Sequence, residues 1–135
     1  MADTNGAGML KGVLLIFAIV TLVYGLGYLL IPGAFVSLSG SQPIDNGWIR
    51  WSGGTLLGLA IGAILVWKNP RGQAPFVTAV TWGTFLTGLG LLYTWLIGET
   101  PAETWYIAVP TVISLGLAVL LQLSRQKAKE LLKVG

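Results

Sequence analysis

The chain has 135 residues, of which 54% are hydrophobic and 10% are charged, and its mean hydropathy is +0.77. A soluble domain of this length cannot hide so much apolar surface, because it presents a large polar exterior to water. Cysteine and histidine are absent, which excludes disulfides, thiol nucleophiles, Cys/His zinc sites and His-ligated haem or chlorophyll from its own side chains. The composition predicts a single, all-α integral membrane domain over residues 1–135, with no metal site of its own.

The first predicted helix covers about residues 9–31. No charged residue occurs from 12 to 44, and a helix needs roughly 20 apolar residues to cross a hydrocarbon core of about 30 Å. A Pro-Gly pair ends the segment. A cleaved signal peptide is the alternative interpretation, but the apolar stretch is too long for one. The conformation of the connection over residues 32–47 is left open, and its apolar piece 34–38 is a candidate for a short interfacial helix.

Three further helices are predicted, over about residues 48–68, 76–97 and 104–123. Tryptophans at both ends of the second helix suit the two headgroup regions of a bilayer. Because the connections after the second and third helices are short, these three helices are expected to be antiparallel neighbours. Pro110 lies in the first half of the fourth helix and is expected to kink it or mark a wide turn. The basic tail, residues 124–135, is predicted to continue as a helix along the membrane surface.

The distribution of lysine and arginine predicts the orientation in the membrane. All of them except Arg50 fall near one set of helix ends: Lys11, Lys68, Arg71, Arg125, Lys127, Lys129 and Lys133. The opposite ends carry Arg50 together with Asp45, Glu99 and Glu103. By the positive-inside rule the basic side is cytoplasmic. The prediction is therefore a four-helix membrane bundle with both termini in the cytoplasm (N-in/C-in).

The basic tail also predicts contacts with membrane lipids. Arg125, Lys127, Lys129 and Lys133 suit anionic headgroups, at about 1 kcal/mol per nearby charge. Docking on an acidic partner protein is the alternative. A nucleic-acid partner is not expected, because basic tails on membrane proteins are ordinary determinants of topology.

Small residues form a stripe on each of two predicted helices. The second helix carries Gly54, Gly58 and Gly62, and the third carries Gly83, Thr87 and Gly90. Such stripes let neighbouring backbones approach closely in a membrane. Packing of the two stripes on each other is the main interpretation, and a docking groove for a partner subunit's helix is the alternative. A threonine-lined pore is disfavoured, because the threonines of the third helix do not share one face.

Arg50 is the one basic residue on the acidic side. Trp48 and Trp51 flank it, and Asp45 precedes it in sequence. One interpretation is structural, with the arginine reaching toward the interface or pairing with a carboxylate. The other is functional, with the four residues forming a site for an anionic group or headgroup beside an apolar tail.

Groups that mark transport or catalysis are missing from the middle of the predicted helices. No acidic residue lies there, whereas ionisable residues inside membranes usually mark ion or proton pathways. A small multidrug antiporter has this size but needs a carboxylate in its first helix, and the polar Asn and Phe-rich motifs of a fluoride channel are not visible. Hydrolysis, phosphoryl transfer and metal catalysis need groups that this chain lacks, so an enzyme is not predicted.

Two segments carry a family resemblance. Residues 48–70 read WIRWSGGTLLGLAIGAILVWKNP, with an arginine before Gly-Gly and then Leu-Gly-Leu, and residues 25–32 read GLGYLLIP. These segments resemble the second helix and the end of the first helix in small bacterial four-helix membrane proteins of unknown function, loosely grouped with DoxX-like proteins. Some DoxX-like proteins associate with quinone-linked oxidoreductases. The resemblance covers about the first half of the chain and implies a bacterial cytoplasmic (inner) membrane protein without a transferable catalytic residue.

Two classes of function follow as expectations. The first is a non-catalytic accessory or structural subunit of a larger membrane complex, respiratory or photosynthetic, with other membrane subunits and lipids as partners. It is motivated by the missing reactive groups, the glycine stripes and the six tryptophans. The alternative is a binding or transport protein for a lipid-like or quinone-like molecule. A bound lipid, quinone or pigment would then be held by apolar surface.

Overall fold

The computed structural model describes residues 3–42 and 46–133, and every regular element in them is a helix. The helices are α1 (Asp3–Leu30), α2 (Pro32–Leu38), α3 (Asn46–Lys68), α4 (Ala74–Leu96), α5 (Thr104–Lys127) and α6 (Lys129–Lys133). Four of them, α1, α3, α4 and α5, are long and apolar enough to cross a membrane. The predicted all-α architecture with four long apolar helices is therefore confirmed.

The helix boundaries differ from the predicted ones mainly at the two chain ends. α1 begins at Asp3 rather than near residue 9, and α5 continues past Leu123 to Lys127. Pro110 lies inside α5, which runs continuously through it. The apolar piece of the first connection forms α2, where the proline occupies the first turn, a position that does not require a backbone N–H.

α1 is the central helix of the bundle. It packs most extensively on α3 and also on α5, while α4 packs on α5. α3 and α4 are consecutive and joined by a short connection, yet in the described part of the chain they form no extensive contact. The expectation that they would be packed neighbours was therefore wrong, because a short connection fixes only the distance between two adjoining helix ends.

The backbones of α1 and α3 approach each other closely at Gly53 and Gly25. A Cβ atom built on Gly53 would lie 2.7 Å from the backbone nitrogen of Leu29 and 2.8 Å from the carbonyl oxygen of Gly25. A Cβ atom on Gly25 would lie 3.0 Å from the Leu57 side chain. Since only glycine fits at such a crossing, this pair fixes where α1 and α3 meet.

The glycines singled out in the sequence lie elsewhere. A Cβ atom on Gly54, Gly58, Gly83 or Gly90 would meet nothing within 4 Å, and all four residues are exposed. Thr87 is also exposed. The expected packing of the two stripes on each other does not occur, because α3 turns a different small-residue face, that of Gly53, toward α1. α4 instead meets α5 at Gly88, where an added Cβ would lie 2.6 Å from Leu115.

The hydrophobic core is concentrated at one end of the bundle, here called the tail end, where the α3–α4 connection and α6 lie. Its fully buried members include Leu10, Leu14, Val77 and Leu121. Close packing of these side chains leaves few voids and joins α1, α4 and α5. The opposite end, where α2 and the α4–α5 connection lie, is called the α2 end.

The described residues of the C-terminal tail pack onto this core. α5 ends at Lys127, and after the break at Ala128 the short helix α6 follows. Ala128 and Leu132 are 1% and 2% exposed and belong to the core. The N–H of Gly72 in the α3–α4 connection donates to the carbonyl of Leu131 at 3.4 Å. The tail therefore closes the bundle at this end.

Candidate ligand-binding cavity

The divergence of α3 and α4 leaves a cavity of about 820 Å³ between them. α1 and α5 form its floor, and α2 with the α4–α5 connection covers its α2 end. On α4 the lining extends from Phe76 to Thr94, about 27 Å at the rise of about 1.5 Å per helical residue. The cavity therefore runs along most of the length that a helix needs to cross a hydrocarbon core.

The tail-end half of the cavity is apolar. Its lining includes Phe17, Val20, Leu59, Phe76, Val80 and Leu117. Phe76 closes the gap between α3 and α4 at this end, because its ring lies over Gly62, where an added Cβ would be 2.5 Å from a ring carbon. Gly62 is thus the one of the predicted α3 packing glycines that contacts α4, and it contacts the Phe76 ring and not the small-residue stripe of α4.

The half of the cavity nearer the α2 end carries three tyrosines and a phenylalanine. Tyr24 and Tyr28 come from α1, Phe35 from α2 and Tyr106 from α5. The ring of Phe35 lies 5.1 Å from that of Tyr28 and 6.2 Å from that of Tyr24, both edge-on or tilted, as aromatic pairs prefer. Gly27 makes this arrangement possible, because a side chain there would overlap the Phe35 ring.

The tyrosine hydroxyls lie near one another at this end. Those of Tyr28 and Tyr106 face each other, and Tyr24 is near enough to interact electrostatically with both. Several serine and threonine hydroxyls of the walls are instead occupied by their own helices. Thr21 donates to the carbonyl of Phe17 at 2.8 Å, and Thr87 donates to that of Gly83 at 2.8 Å.

Of the four residues predicted as a site around Arg50, the structure describes three, and these do not all line the cavity. Trp48 lines the cavity at its α2 end, but neither Arg50 nor Trp51 is among the described residues that do so. The ring of Trp51 meets that of Trp48 edge-on at 5.7 Å, and both tryptophans are exposed. Asp45 lies outside the described residues.

Arg50 contacts the end of α1. Its Nε donates to the carbonyl of Leu29 at 3.3 Å, in the last turn of α1, where carbonyl groups have no partner within the helix. A cation at a helix C-terminus is also favourable for the helix dipole. These contacts favour the structural interpretation of Arg50.

Replacing Arg50 with glutamine is expected to leave ligand content unchanged. The side chain lies outside the cavity lining, so its loss removes only an exposed contact to α1, worth about 1 kcal/mol or less. The measurement is mass spectrometry of small molecules that co-purify with Arg50→Gln and with the unaltered chain. A reduced amount of the same molecule, in a variant that purifies as well as the unaltered chain, would make Arg50 a ligand contact.

The predicted lipid-contacting basic residues divide into two groups. Lys127, Lys129 and Lys133 are exposed, and Lys133 lies 3.7 Å from Glu130. Arg125 is partly buried and forms contacts within the bundle instead.

Two of the Arg125 nitrogens bond to the side-chain oxygen of Gln122, Nε at 3.1 Å and Nη2 at 2.8 Å, and Nη1 bonds to the hydroxyl of Thr78 at 3.0 Å. Each of its three guanidinium nitrogens thus donates to a protein oxygen on α4 or α5, an arrangement that suits a planar group with several donors. Its role is to join α5 to α4, in addition to any contact with lipid.

Two features of the sequence point to the tyrosine end of the cavity. Tyr24 and Tyr28 are four residues apart inside an otherwise apolar helix, a spacing that places both hydroxyls on one face. A buried tyrosine usually needs a partner for its hydroxyl. Tyr106 in the first turn of α5 is the third member, but its proximity to the other two depends on the tertiary fold.

Comparisons with protein-family models, with curated proteins and with solved structures found no match to this chain. The similarity to DoxX-like proteins therefore stays a prediction. In the part of the chain that the structure describes, no group of three or more His, Cys, Asp or Glu residues is placed to hold a metal ion.

Proposed function

We propose that this chain is a multi-pass protein of the bacterial cytoplasmic membrane whose tail end faces the cytoplasm. Membrane insertion is supported by four helices of spanning length and by large apolar side chains exposed all around the bundle. The orientation is supported by the exposed basic residues of the tail end, including Lys68, Arg71 and Lys129, against Glu99 and Glu103 at the α2 end. Both termini then lie in the cytoplasm.

The proposed function is non-catalytic binding of a lipid-like or quinone-like molecule between α3 and α4. The observation that supports it is the cavity, whose volume of about 820 Å³ lies within the range of about 300–1,000 Å³ typical of small-molecule sites. Protein interiors otherwise contain few voids larger than a water molecule. An apolar lining with a few convergent hydroxyls is also typical of such sites.

The shape of the cavity favours a small molecule over a partner's helix as its occupant. Its tail end is closed by Phe76 against Gly62. At the α2 end the N–H of Glu103 donates to the carbonyl of Ser39 at 2.7 Å and joins the α4–α5 connection to α2. A partner's spanning helix would extend past both ends, whereas a molecule shorter than the bilayer fits between them. The open side between α3 and α4 gives access from the membrane interior.

The proposal is tested by gentle solubilisation, capture of the chain and native mass spectrometry of what accompanies it. We expect a monomer or homo-oligomer that retains a defined apolar small molecule. Stoichiometric partner proteins with no retained small molecule would contradict this function. They would support the accessory subunit of a larger membrane complex predicted from the sequence, with the exposed glycines of α3 and α4 as candidate contacts.

A further inference from the structure

We propose that the molecule in the cavity carries an uncharged head group with hydrogen-bond acceptors, such as a ring or chain carbonyl, and that the tyrosines at the α2 end bind it. This inference rests on the proposed function and adds the chemistry and the orientation of the ligand. The head group lies against Tyr24, Tyr28 and Tyr106, and the apolar tail extends toward Phe76.

The absence of charge along the walls determines the first part of the inference. Among the described residues, all that line the cavity are uncharged. Burying an ionised group in apolar surroundings without a counter-charge costs many kcal/mol. Arg50, the nearest described cation in the sequence to the cavity-lining Trp48 and Ile49, is bonded to α1 and lies outside the lining. A phosphate or carboxylate head group would therefore have no cationic partner in the cavity.

The inventory of donors determines the second part. Three phenol O–H groups line the α2 end of the cavity, and even a mutual hydrogen bond between Tyr28 and Tyr106 would use only one of their protons. In the described residues, the Tyr24 hydroxyl makes no hydrogen bond to a protein group. At least two phenol protons are thus available to a ligand, whereas the hydroxyls of Thr21 and Thr87 already donate to their helices. Unpaired donors in an apolar site favour an acceptor.

The asymmetry of the cavity determines the orientation. Hydroxyls are concentrated near the α2 end, and the other half is lined by side chains such as Phe17, Leu59 and Leu117. A molecule with one polar and one apolar end satisfies both halves only with its polar end at the tyrosines. In the proposed membrane orientation, the head group lies toward the outer leaflet.

The test is displacement of a bound fluorescent apolar probe by decyl compounds that differ only in the head group: a decyl benzoquinone, decylbenzene, decanol, decyl phosphate and decyltrimethylammonium. We expect the quinone to displace the probe from the unaltered protein at a roughly tenfold lower concentration than decylbenzene, as one to two hydrogen bonds would give. Tyr28→Phe and Tyr106→Phe are each expected to reduce this ratio to about threefold or less and to leave displacement by decylbenzene unchanged.

Tyr93→Phe is the matched control. Tyr93 lies on α4 and is 63% exposed outside the cavity lining, so its loss should leave the ratio unchanged. Comparing ratios between variants cancels differences in how the compounds partition into detergent, and displacement by decylbenzene shows that each variant is folded.

The outcomes separate the two proposals. Equal displacement by quinone and decylbenzene, or strongest displacement by decyl phosphate or decyltrimethylammonium, would overturn the head-group inference and leave apolar binding intact. Stronger displacement by decanol than by decylbenzene would support it, because the hydroxyl of decanol is uncharged and also accepts hydrogen bonds. An unchanged quinone ratio in both tyrosine variants would overturn the role of these residues. If the apolar probe does not bind, or if none of the compounds displaces it, the proposed function itself is contradicted.

Discussion

Replacing Gly53 with leucine is expected to abolish the folded monomer. At this position even a Cβ atom would lie 2.7 Å from the Leu29 nitrogen and 2.8 Å from the Gly25 oxygen, and helical backbone atoms cannot move aside as a flexible side chain can. Gly53→Ala should already cost about 1–3 kcal/mol, as overpacking of a close-packed interface does. The leucine would separate α1 from α3, which is the most extensive helix pair of the bundle. The measurement is size-exclusion chromatography in mild detergent with a thermal ramp.

Gly54 is the matched control for this prediction. It is the next residue of the same helix, it is exposed, and an added Cβ would meet nothing within 4 Å. Gly54→Ala and Gly54→Leu should therefore leave the monomer intact, and removing a helical glycine even favours the helix by up to about 1 kcal/mol. An equal loss of folded monomer for variants at the two positions, or a loss only for the Gly54 variants, would contradict the α1–α3 crossing.

Gly83→Trp is expected to weaken binding of an apolar ligand at least tenfold, a loss of about 1.4 kcal/mol or more. Gly83 lines the cavity from α4, and an added Cβ there would meet open space. An indole ring at this position can therefore enter the cavity and occupy the volume that the ligand needs. Since filling a void adds contacts, the thermal stability of the empty protein should be unchanged or raised. The measurement is titration with the fluorescent apolar probe.

Gly116→Trp is the control for cavity filling. Gly116 lies on α5, is exposed, has open space around an added Cβ and is not part of the cavity lining. The same residue change should leave the affinity for the probe unchanged. A stable Gly83→Trp protein that binds the probe as tightly as the unaltered chain would show that the ligand binds elsewhere.

The positions of the helices could be predicted from the sequence because charges and prolines interrupt the apolar segments. A membrane-spanning helix needs a long uncharged run, so each run marks a helix within a few residues. The exceptions have local causes. α5 extends to Lys127 because the basic residues after Leu123 are good helix formers, and α6 turns inward because Leu132 is apolar enough to join the core.

The pairing of the helices could not be predicted in the same way. α3 has two faces of small residues, one with Gly54 and Gly58 and the other with Gly53 and Ala60. The first has the more regular spacing, yet the second packs on α1, since Gly53 and Ala60 are buried and Gly54 and Gly58 are exposed. Small residues permit close approach but do not require it, because an exposed glycine in lipid leaves no polar group unsatisfied when its backbone bonds lie within the helix.

The cavity could not be predicted because it results from contacts that are missing between α3 and α4. Its lining residues look like ordinary apolar helix positions in the sequence. Arg50, the most conspicuous residue of that region, lies outside the lining, whereas the tyrosines that line it were not singled out. A charged residue is easy to notice in an apolar segment, but its position near the end of α1 reflects helix-end chemistry.

The central position of α1 has a consequence for biosynthesis. α1 and α3 emerge from the ribosome first and can pair through Gly25 and Gly53 before the rest of the chain has been made. α4 and α5 form a second hairpin, which joins the first along α1 and α5. The two long walls of the cavity, α3 and α4, come from different hairpins. A nascent chain can therefore assemble the α1–α3 pair early, but the cavity forms only after the second hairpin has docked.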